Sequence, residues 1–370
     1  MKIIHCADIH LDSAMTSSID PQTARIRRGE ILRNFERIVD YAASVGAEAI
    51  LIAGDLFDSQ NISELTRNTL LHCIASNPGI AFFYLRGNHD EHFCLNQLNC
   101  SGKIPFNLIF FGKEWGCYEC GSVSIYGAEL SDESRDFYDV LNPDPDRINI
   151  VMLHGQLSEH PDSVDYGIDI NRLRGKNIDY LALGHIHSHS EGSLDDRGIY
   201  SYPGCPEGRG FDECEGEHGL MLLEIDVDNH SVAHTFIPFE NRRLYSVTAD
   251  VTGCMTTKEM ISAAAEALVE SGCDSSSLVK LVLTGELDPE CEKDISYLSA
   301  AFCDKYFYFR AIDQTRIKIN IEDYLFDESL KGEFVRTVSS DDSLSEDDKA
   351  VIVRYGLRAL AGEEADLFCG

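Results

Sequence analysis

Short apolar runs alternate with longer amphipathic stretches along the first 240 residues of the chain. In a stretch that begins near residues 21–23, Ile31, Phe35 and Ile38 fall roughly on one stripe of a helix with 3.6 residues per turn. Residues 64–76 predict a second helix, and strands are predicted at residues 2–7, 49–53, 80–85, 148–153, 180–183, 220–227 and 232–237. Strands that alternate with helices indicate an α/β fold, and the additional hairpins indicate two packed sheets covered by helices.

The pattern starts again near residue 240. Strands predicted at residues 244–251, 278–283 and 306–311, with helices at 258–270 and 290–301, indicate a small α/β cap. An acidic turn at residues 339–348 precedes a predicted helix that ends at Leu360, and its charges are typical of a solvated face. We therefore expect three parts: residues 1–240, a cap at residues 244–325, and an acidic, mostly helical tail at residues 326–370.

The net charge is −32, because 63 Asp and Glu residues outnumber 31 Lys and Arg residues. A protein that binds DNA through its phosphates normally carries clustered basic residues, so this charge opposes a polyanionic substrate. Three explanations are open: a more basic partner delivers the DNA, metal ions supply local positive charge, or the substrate is not DNA. Composition alone slightly favours the last.

The 13 cysteines are scattered, and Cys117-x-x-Cys120 has no second pair that would complete a zinc ribbon. The chain has no run of about 18 apolar residues that would predict a membrane span. Its first eight residues lack the apolar stretch of a signal peptide. We therefore expect a cytoplasmic protein whose thiols are reduced and mostly buried.

Five short polar motifs follow apolar strands. They are Asp8-Ile-His10, Gly54-Asp55-Leu-Phe-Asp58, Gly87-Asn88-His89-Asp90, His154-Gly155 and Gly184-His185-Ile-His187. In open α/β sheets, functional groups gather beyond the carboxyl ends of the strands, so the five loops are expected to converge on one edge of the sheet. Each motif alone is more often a turn or a surface pair than a site. Their order and common placement, with carboxylate and imidazole side chains, indicate a pair of manganese, iron or zinc ions.

The set resembles the calcineurin-like metallophosphoesterase superfamily, whose pattern is D-x-H, G-D, G-N-H-D/E, H and G-H-x-H. The resemblance covers roughly the first 240 residues and implies that they form the catalytic domain, a two-sheet sandwich flanked by helices. Carried over residue by residue, it assigns one metal ion to Asp8, His10 and His187, the other to Asn88, His154 and His185, and a bridging position to Asp55.

The same resemblance implies a role in the reaction for two further residues. His89 would stabilise the transition state or protonate the leaving oxygen, and Asp90 would orient His89. Two divalent ions, with manganese expected and iron or zinc as alternatives, would produce a hydroxide near neutral pH and screen the phosphoryl oxygens. A histidine acid would then serve the leaving group.

Within the superfamily, the chain is similar to the SbcD and YhaO branch of DNA repair exonucleases. The similar segments are the opening from Ile4 to Ser13, the stretch from Ala53 to Ser59, and Tyr202-Pro-Gly204. The resemblance implies DNA as substrate, an SMC-like coiled-coil ATPase as partner, and a homodimer formed by helices near the active site. The helix at residues 64–76 offers such a surface, although packing of its apolar residues on their own sheet is equally open.

Three functions therefore remain open. The first is a metal-dependent DNA exonuclease or endonuclease, the second a phosphodiesterase or phosphatase acting on a small molecule or phosphoprotein, and the third a weakly active regulatory subunit of an ATPase complex. The complete ligand set argues against the third.

Two basic features could contact phosphates. Arg25, Arg27 and Arg28 begin the first long helix, and solvated helix arginines are the simpler account of them. Arg209 lies in a glycine-rich loop that could approach a phosphate backbone, and the two interpretations of it are equally open.

Overall fold

The computed structural model describes residues 1–15, 19–58, 62–90, 98, 104–130, 137–214, 216–288, 291–318, 324 and 326–360. The chain divides into two compact units. The first comprises Met1–Ser246, Cys273–Lys280 and Tyr306–Tyr308, and the second comprises Val247–Gly272, Leu281–Lys305 and Phe309–Gly370. The three-part boundaries expected from the sequence stay a prediction. Among the described residues, no helix combines the length and apolar character that crossing a bilayer requires.

Two six-stranded sheets form the body of the first unit. In chain order its strands are β1 (Lys2–Cys6), β2 (Ala49–Ala53), β3 (Ala81–Leu85), β4 (Leu108–Phe110), β5 (Gly116–Cys120), β6 (Val123–Gly127), β7 (Ile148–His154), β8 (Gln156–Ser158), β9 (Gly167–Asp169), β10 (Tyr180–Gly184), β11 (Ser190–Ser193), β12 (Ile199–Tyr202), β13 (Gly219–Asp226) and β14 (Ser231–Pro238). The first sheet has the order β14-β13-β1-β2-β3-β4, and the second has the order β11-β12-β10-β7-β6-β5. The α/β fold class with two sheets and flanking helices is confirmed.

The strands that lead to the predicted site run parallel within each sheet. In the first sheet β1, β2, β3 and β4 are parallel, and in the second β6, β7, β10 and β12 are parallel. Carboxyl ends of neighbouring parallel strands share one edge, so the loops that follow them are brought together.

Central strands are buried on both faces, which explains their uninterrupted apolar sequences. In β1, Ile4 lies in the core formed by the first sheet and its helices. Ile3 lies in the core formed by residues of the two sheets. Side chains alternate between the faces of a strand, so both faces must be apolar when both are covered.

Two helices cover the outer face of the first sheet. The helix α1 (Pro21–Val45) begins where the Asp20 carboxylate accepts hydrogen bonds from two backbone amides, and it ends at Gly46 with a φ of 71°. The helix α2 (Glu64–Ser76) begins at a Ser63 cap. Of the apolar residues suggested as a dimer surface, Leu70 and Ile74 are fully buried in the core of their own unit. Packing on their own sheet therefore accounts for them.

The C-terminal part of the chain adds a three-stranded sheet of β15 (Leu244–Asp250), β16 (Leu278–Thr284) and β18 (Tyr308–Asp313), and a pair formed by β17 (Glu286–Leu287) and β19 (Arg316–Ile317). Its helices span Thr257–Glu270, Ile295–Ala300, Leu330–Ser339 and Glu346–Leu360. The helix expected over residues 290–301 is shorter, because it begins only after the Asp294 cap. The helix Leu330–Ser339 lies in the tail that was expected to be mostly helical, although no helix was assigned to these residues from the sequence.

Candidate metal centre

The five polar motifs lie at the carboxyl ends of strands from both sheets. Asp8, Asp55 and Asn88 follow β1, β2 and β3 of the first sheet, whereas His154 ends β7 and His185 follows β10 of the second. The expectation of one sheet edge is therefore corrected. The site is formed where the carboxyl ends of two packed sheets meet, because the chain enters the second sheet after β4.

One group of ligand atoms comes from Asp8, His10 and His187, whose donor atoms all lie within 4.8 Å of one another. The Nε2 atoms of His10 and His187 are 3.2 Å apart. With metal–nitrogen bonds of about 2.0–2.1 Å, two ligands of one ion at roughly 90–110° are about 2.9–3.4 Å apart. The separation therefore fits two imidazoles that share one ion.

A second group surrounds Asn88. Its side-chain Oδ1 lies 2.8 Å from His154 Nε2 and 3.1 Å from His185 Nδ1. The Oδ2 atom of Asp55 lies 3.4 Å from His154 Nε2 and 3.8 Å from His10 Nε2. The Asp55 carboxylate thus stands between the two groups, as a bridging ligand must.

Contacts outside these two groups fix the imidazole rings. Three rings have their Nδ1 atoms held by an oxygen, His10 by Asp58 at 3.2 Å, His187 by Glu213 at 2.8 Å and His154 by the carbonyl of Ala53 at 2.9 Å. An Nδ1–H that donates to oxygen leaves the lone pair on Nε2, which is the atom that faces the centre. The rings are therefore held in the tautomer that binds a metal ion.

The electrostatics of the centre also suit divalent cations. Burial lowers the pKa of His10 to about 4, which keeps this imidazole neutral and able to bind a metal. Burial raises the pKa of the Asp8 carboxyl to about 7, so its charged form needs a nearby cation. Burial acts in the same direction on Asp55, but hydrogen bonding to His154 outweighs it and lowers the pKa of Asp55 to about 2. Burial acts to lower the pKa of His154, but hydrogen bonding to Asp55 outweighs it and raises this pKa to about 9, so His154 would release a proton on binding a metal ion. The charged carboxylates and the neutral His10 imidazole fit divalent ions.

The backbone is strained at four of the predicted ligands. Asp8, His10 and Asp55 have φ values of 52°, 51° and 50°, and His185 has a φ of 101°. Residues with a Cβ atom seldom adopt such values, and they concentrate at functional sites where the surrounding structure holds them in place. The strain is what turns these side chains toward one point at the ends of their strands.

His89 lies beside the centre and is about half exposed. Its Nδ1 is 3.2 Å from Asp58 Oδ1, and the side chain is 49% exposed. The buried Asp90 carboxylate accepts hydrogen bonds of 2.8–3.2 Å from the backbone amides of Leu56, Phe57 and Gly87. Asp90 therefore joins the loops that follow β2 and β3, and its predicted orienting role would act through the backbone.

Three charged residues of the centre were given no role or an open one from the sequence. Asp58 contacts His10 and His89, accepts a 2.6 Å hydrogen bond from Ser13 Oγ, and lies 3.4 Å from Arg209. The G-D-x-x-D spacing was a signal that could have identified it. Arg209 points into the centre and pairs with Glu213 at 2.7 Å. Glu213 had no local signal, since it is 26 residues from the His187 ring it holds.

Arg27 differs most from its expected environment. The side chain is fully buried, not solvated, and its guanidinium donates to Glu30 at 2.8 Å and to the Gly208 carbonyl at 2.8 Å. It also lies 2.6 Å from Glu207. The expectation of a solvated arginine is therefore wrong, because the loop that carries Arg209 covers this face of α1.

Comparison with known proteins agrees with the geometry. The family model for calcineurin-like phosphoesterases matches residues 1–189. The chain is 26% identical over 262 residues to the DNA double-strand break repair protein Mre11 of Sulfurisphaera tokodaii, which covers 67% of this chain and 65% of that protein. It is 28% identical over 255 residues to the uncharacterized metallophosphoesterase YhaO of Bacillus subtilis, which covers 64% of this chain and 60% of that protein. The chain thus matches less than two thirds of the length of these curated relatives.

The matched segment contains all seven predicted metal ligands and makes up 189 of the 370 residues. The family predicted from the five motifs is confirmed: the chain belongs to the calcineurin-like phosphoesterase family.

Proposed function

We propose that this chain hydrolyses the phosphodiester bonds of DNA with two divalent metal ions, as the nuclease subunit of an SbcCD-like repair complex. The observation that carries the proposal is the convergence of two ligand groups around Asp55, with His89 beside them. The similarity to a double-strand break repair protein supports DNA as the substrate.

The two ligand groups would each hold one ion. The residues are Asp8, His10, Asp55 and His187 for the first and Asp55, Asn88, His154 and His185 for the second. When bound, the pair supplies Lewis-acid polarisation of the phosphoryl group and an activated water. Mixed oxygen and nitrogen ligands suit manganese, and iron and zinc are the alternatives.

His89 would supply the proton that the leaving oxygen needs. Its Nδ1 faces Asp58, which leaves Nε2 as the atom that can donate to a substrate on the exposed side. The hydrogen bond with Asp58 raises the pKa of His89, so the ring is more readily protonated near neutral pH. Asp58 therefore contacts both the proposed metal ligand His10 and the proposed acid His89. It would hold the two rings in a fixed position relative to each other.

The net charge of −32 bears on the partner. A chain with this charge binds a polyanion poorly over long distances. An SMC-like ATPase that grips the DNA would bring the substrate to the centre, and the proposal includes such a partner. A homodimer formed through α2 would have to rely on residues other than Leu70 and Ile74, which are buried.

The same charge favours a second candidate function. A phosphodiesterase or phosphatase that acts on a small molecule would not have to overcome repulsion along an extended polyanion. This candidate uses the same ligands and the same acid, so only the choice of substrate separates it from the nuclease.

The test is hydrolysis by the purified chain with manganese, on a labelled linear duplex and on a small chromogenic phosphodiester. We expect both to be cleaved, and both activities to be lost with a chelator or with Asp55→Asn. An Asp228→Asn variant is the matched control, because Asp228 is an exposed aspartate outside the centre. Cleavage of the small ester alone would contradict the nuclease proposal and favour the second candidate. Cleavage of neither would favour a regulatory subunit.

A further inference from the structure

The solvent-facing side of α1 carries a basic groove. We call it the α1 groove, and it is lined by Gln22, Arg25, Ile26, Gly29 and Arg33. Its volume is about 450 Å³. Both arginines are exposed, and the floor between them consists of Gly29 and of Ile26, which is 43% exposed. A groove with a cation on either side is a candidate for an anionic ligand.

The positive charges of the α1 groove are not neutralised by neighbours. In the part of the chain that the structure describes, no ion pair joins Arg25 or Arg33 to a carboxylate. Some surface arginines elsewhere are paired, as Arg172 is with Asp139 at 2.8 Å. Acidic residues outnumber basic ones by 63 to 31, so carboxylates to pair with are plentiful. The two unpaired cations therefore make a local positive surface on an acidic protein.

Gly29 is not explained by packing within the chain. It lies in the interior of the 25-residue helix α1, where glycine is less favourable than alanine. A Cβ atom at this position would meet no atom within 4 Å. Because residue 29 has no side chain, the floor of the groove is open at this position. An open floor lets a ligand approach the helix backbone closely.

Other faces of α1 contact two loops of the metal centre. Arg28 donates to the carbonyl of Ala14 at 3.1 Å, in the loop that follows Asp8 and His10. Arg27 donates to the carbonyl of Gly208 at 2.8 Å, next to Arg209. The groove is therefore part of the same helix that supports these two loops.

We propose that the α1 groove holds the sugar–phosphate backbone of a DNA strand, with Arg25 and Arg33 each contacting a phosphate. The proposal rests on the proposed function and names the surface that positions its substrate. Eight residues of helix rise about 12 Å, so the two arginines reach different phosphates. An acidic polypeptide is the other possible occupant, but a protein interface needs a wider apolar surface than the single exposed Ile26 offers.

The test compares DNA binding by three proteins in a His89→Gln background with manganese, which limits hydrolysis. They are the otherwise unsubstituted chain, an Arg25→Gln, Arg33→Gln variant, and a Lys258→Gln, Arg310→Gln control that removes the same charge from exposed positions elsewhere. Each phosphate contact accounts for about 1 in the slope of log K against log salt concentration, so the groove variant should lose about 2. We expect the control to keep its slope. The same substitutions with His89 intact should leave hydrolysis of the small chromogenic diester unchanged.

A Gly29→Gln variant separates the groove from helix stability. It fills the floor with a neutral side chain and removes a helix-interior glycine, so we expect a higher melting temperature together with weaker DNA binding. Equal binding and an equal salt slope in the arginine variant and the unsubstituted chain would overturn the proposal that the groove binds DNA. That result would favour an acidic polypeptide as the occupant of the groove. A loss as large in the control would overturn the proposal as well. If the chain cleaves DNA, the proposed function stands in both cases. No DNA binding by any of the three proteins would overturn the groove proposal, and cleavage of the labelled duplex would then decide the proposed function separately.

Discussion

Replacement of Arg27 by methionine tests the electrostatics of the buried network under the metal centre. The guanidinium is fully buried between Glu30 and Glu207, at 2.8 Å and 2.6 Å, and it also donates to the carbonyl of Gly208. Methionine fills a similar volume but removes the positive charge. The Arg27→Met variant therefore leaves two carboxylates buried with less compensation.

The size of the stability loss depends on the partners that the two carboxylates retain. Glu207 still accepts from Asn34 Nδ2 at 3.0 Å and from the Asn241 amide at 2.6 Å. Glu30 still pairs with Arg242 at 2.9 Å. Removal of one partner from a buried ion pair costs about 3–5 kcal/mol, and the remaining donors place the expected loss at the lower end, about 3 kcal/mol. A loss of this size is a large part of a domain stability of about 5–15 kcal/mol.

Urea unfolding followed by tryptophan fluorescence measures this loss in the first unit, because the single tryptophan is Trp115. With a slope of about 3 kcal/mol/M, the unfolding midpoint should fall by about 1 M. An Arg172→Met variant is the control, since its ion pair is exposed and its midpoint should barely move. The double variant Arg27→Met, Glu207→Gln should regain part of the midpoint. An unchanged midpoint in Arg27→Met, or no recovery in the double variant, would refute the reasoning that uncompensated buried carboxylates cause most of the loss of stability.

Three further substitutions test the centre. His89→Gln should lower kcat by roughly two to four powers of ten with manganese binding unchanged in calorimetry, and an equal loss of metal would place His89 among the ligands. Asp58→Asn should weaken manganese binding by about 10–100-fold, because it removes the carboxylate that orients a ligand ring, and unchanged affinity would contradict that role. Gly184→Ala should destabilise the first unit by about 1–3 kcal/mol and weaken metal binding, since a Cβ would overlap the carbonyl oxygen of Ala53 in the other sheet. Gly79→Ala, where a Cβ meets no atom within 4 Å, should change neither.

Predictions of the fold from the sequence were most accurate where burial and local signals agree. The strand Ala49–Ala53 is buried at every position, and the helix Glu64–Ser76 has a serine cap at its start, and both have the bounds expected. The strands Gly116–Cys120 and Ser190–Ser193 were not expected, because their mostly exposed, polar residues show no apolar pattern. They are edge strands, which pair with a neighbour that the local sequence does not reveal.

The residues of the centre likewise fall into those that a local sequence pattern predicted and those that it did not. The proposed ligands stand in short motifs at strand ends, so the local pattern sufficed to select them. Glu213 and Arg209 reach the centre through a loop whose course depends on the whole fold. Arg27 shares the helical stripe of Ala24 and Ile31, and this position alone indicated a buried face. The usual preference of arginine for solvent pointed the other way, and the partner Glu207 that allows its burial is 180 residues distant along the chain.

The acidic composition is compatible with an anionic substrate because most of the acidic charge is screened beyond a short distance. Charges separated by more than about 8 Å are largely screened at physiological salt, so the phosphates respond mainly to groups next to them. Among the described residues, the carboxylates of Asp8, Asp55, Asp58 and Glu213 surround the centre, and Arg209 offsets one of these charges. Two divalent ions would turn this negative site into a positive one.

Metal removal should therefore weaken DNA binding as well as stop hydrolysis. The loss of affinity on chelation should exceed that caused by Arg25→Gln, Arg33→Gln, because the ions reverse the sign of the site whereas the arginines only add to it. Fluorescence anisotropy of a labelled duplex, measured with and without a chelator in the His89→Gln background, gives both quantities under the same conditions. DNA binding that is indifferent to chelation would mean that the bound strand does not reach the centre.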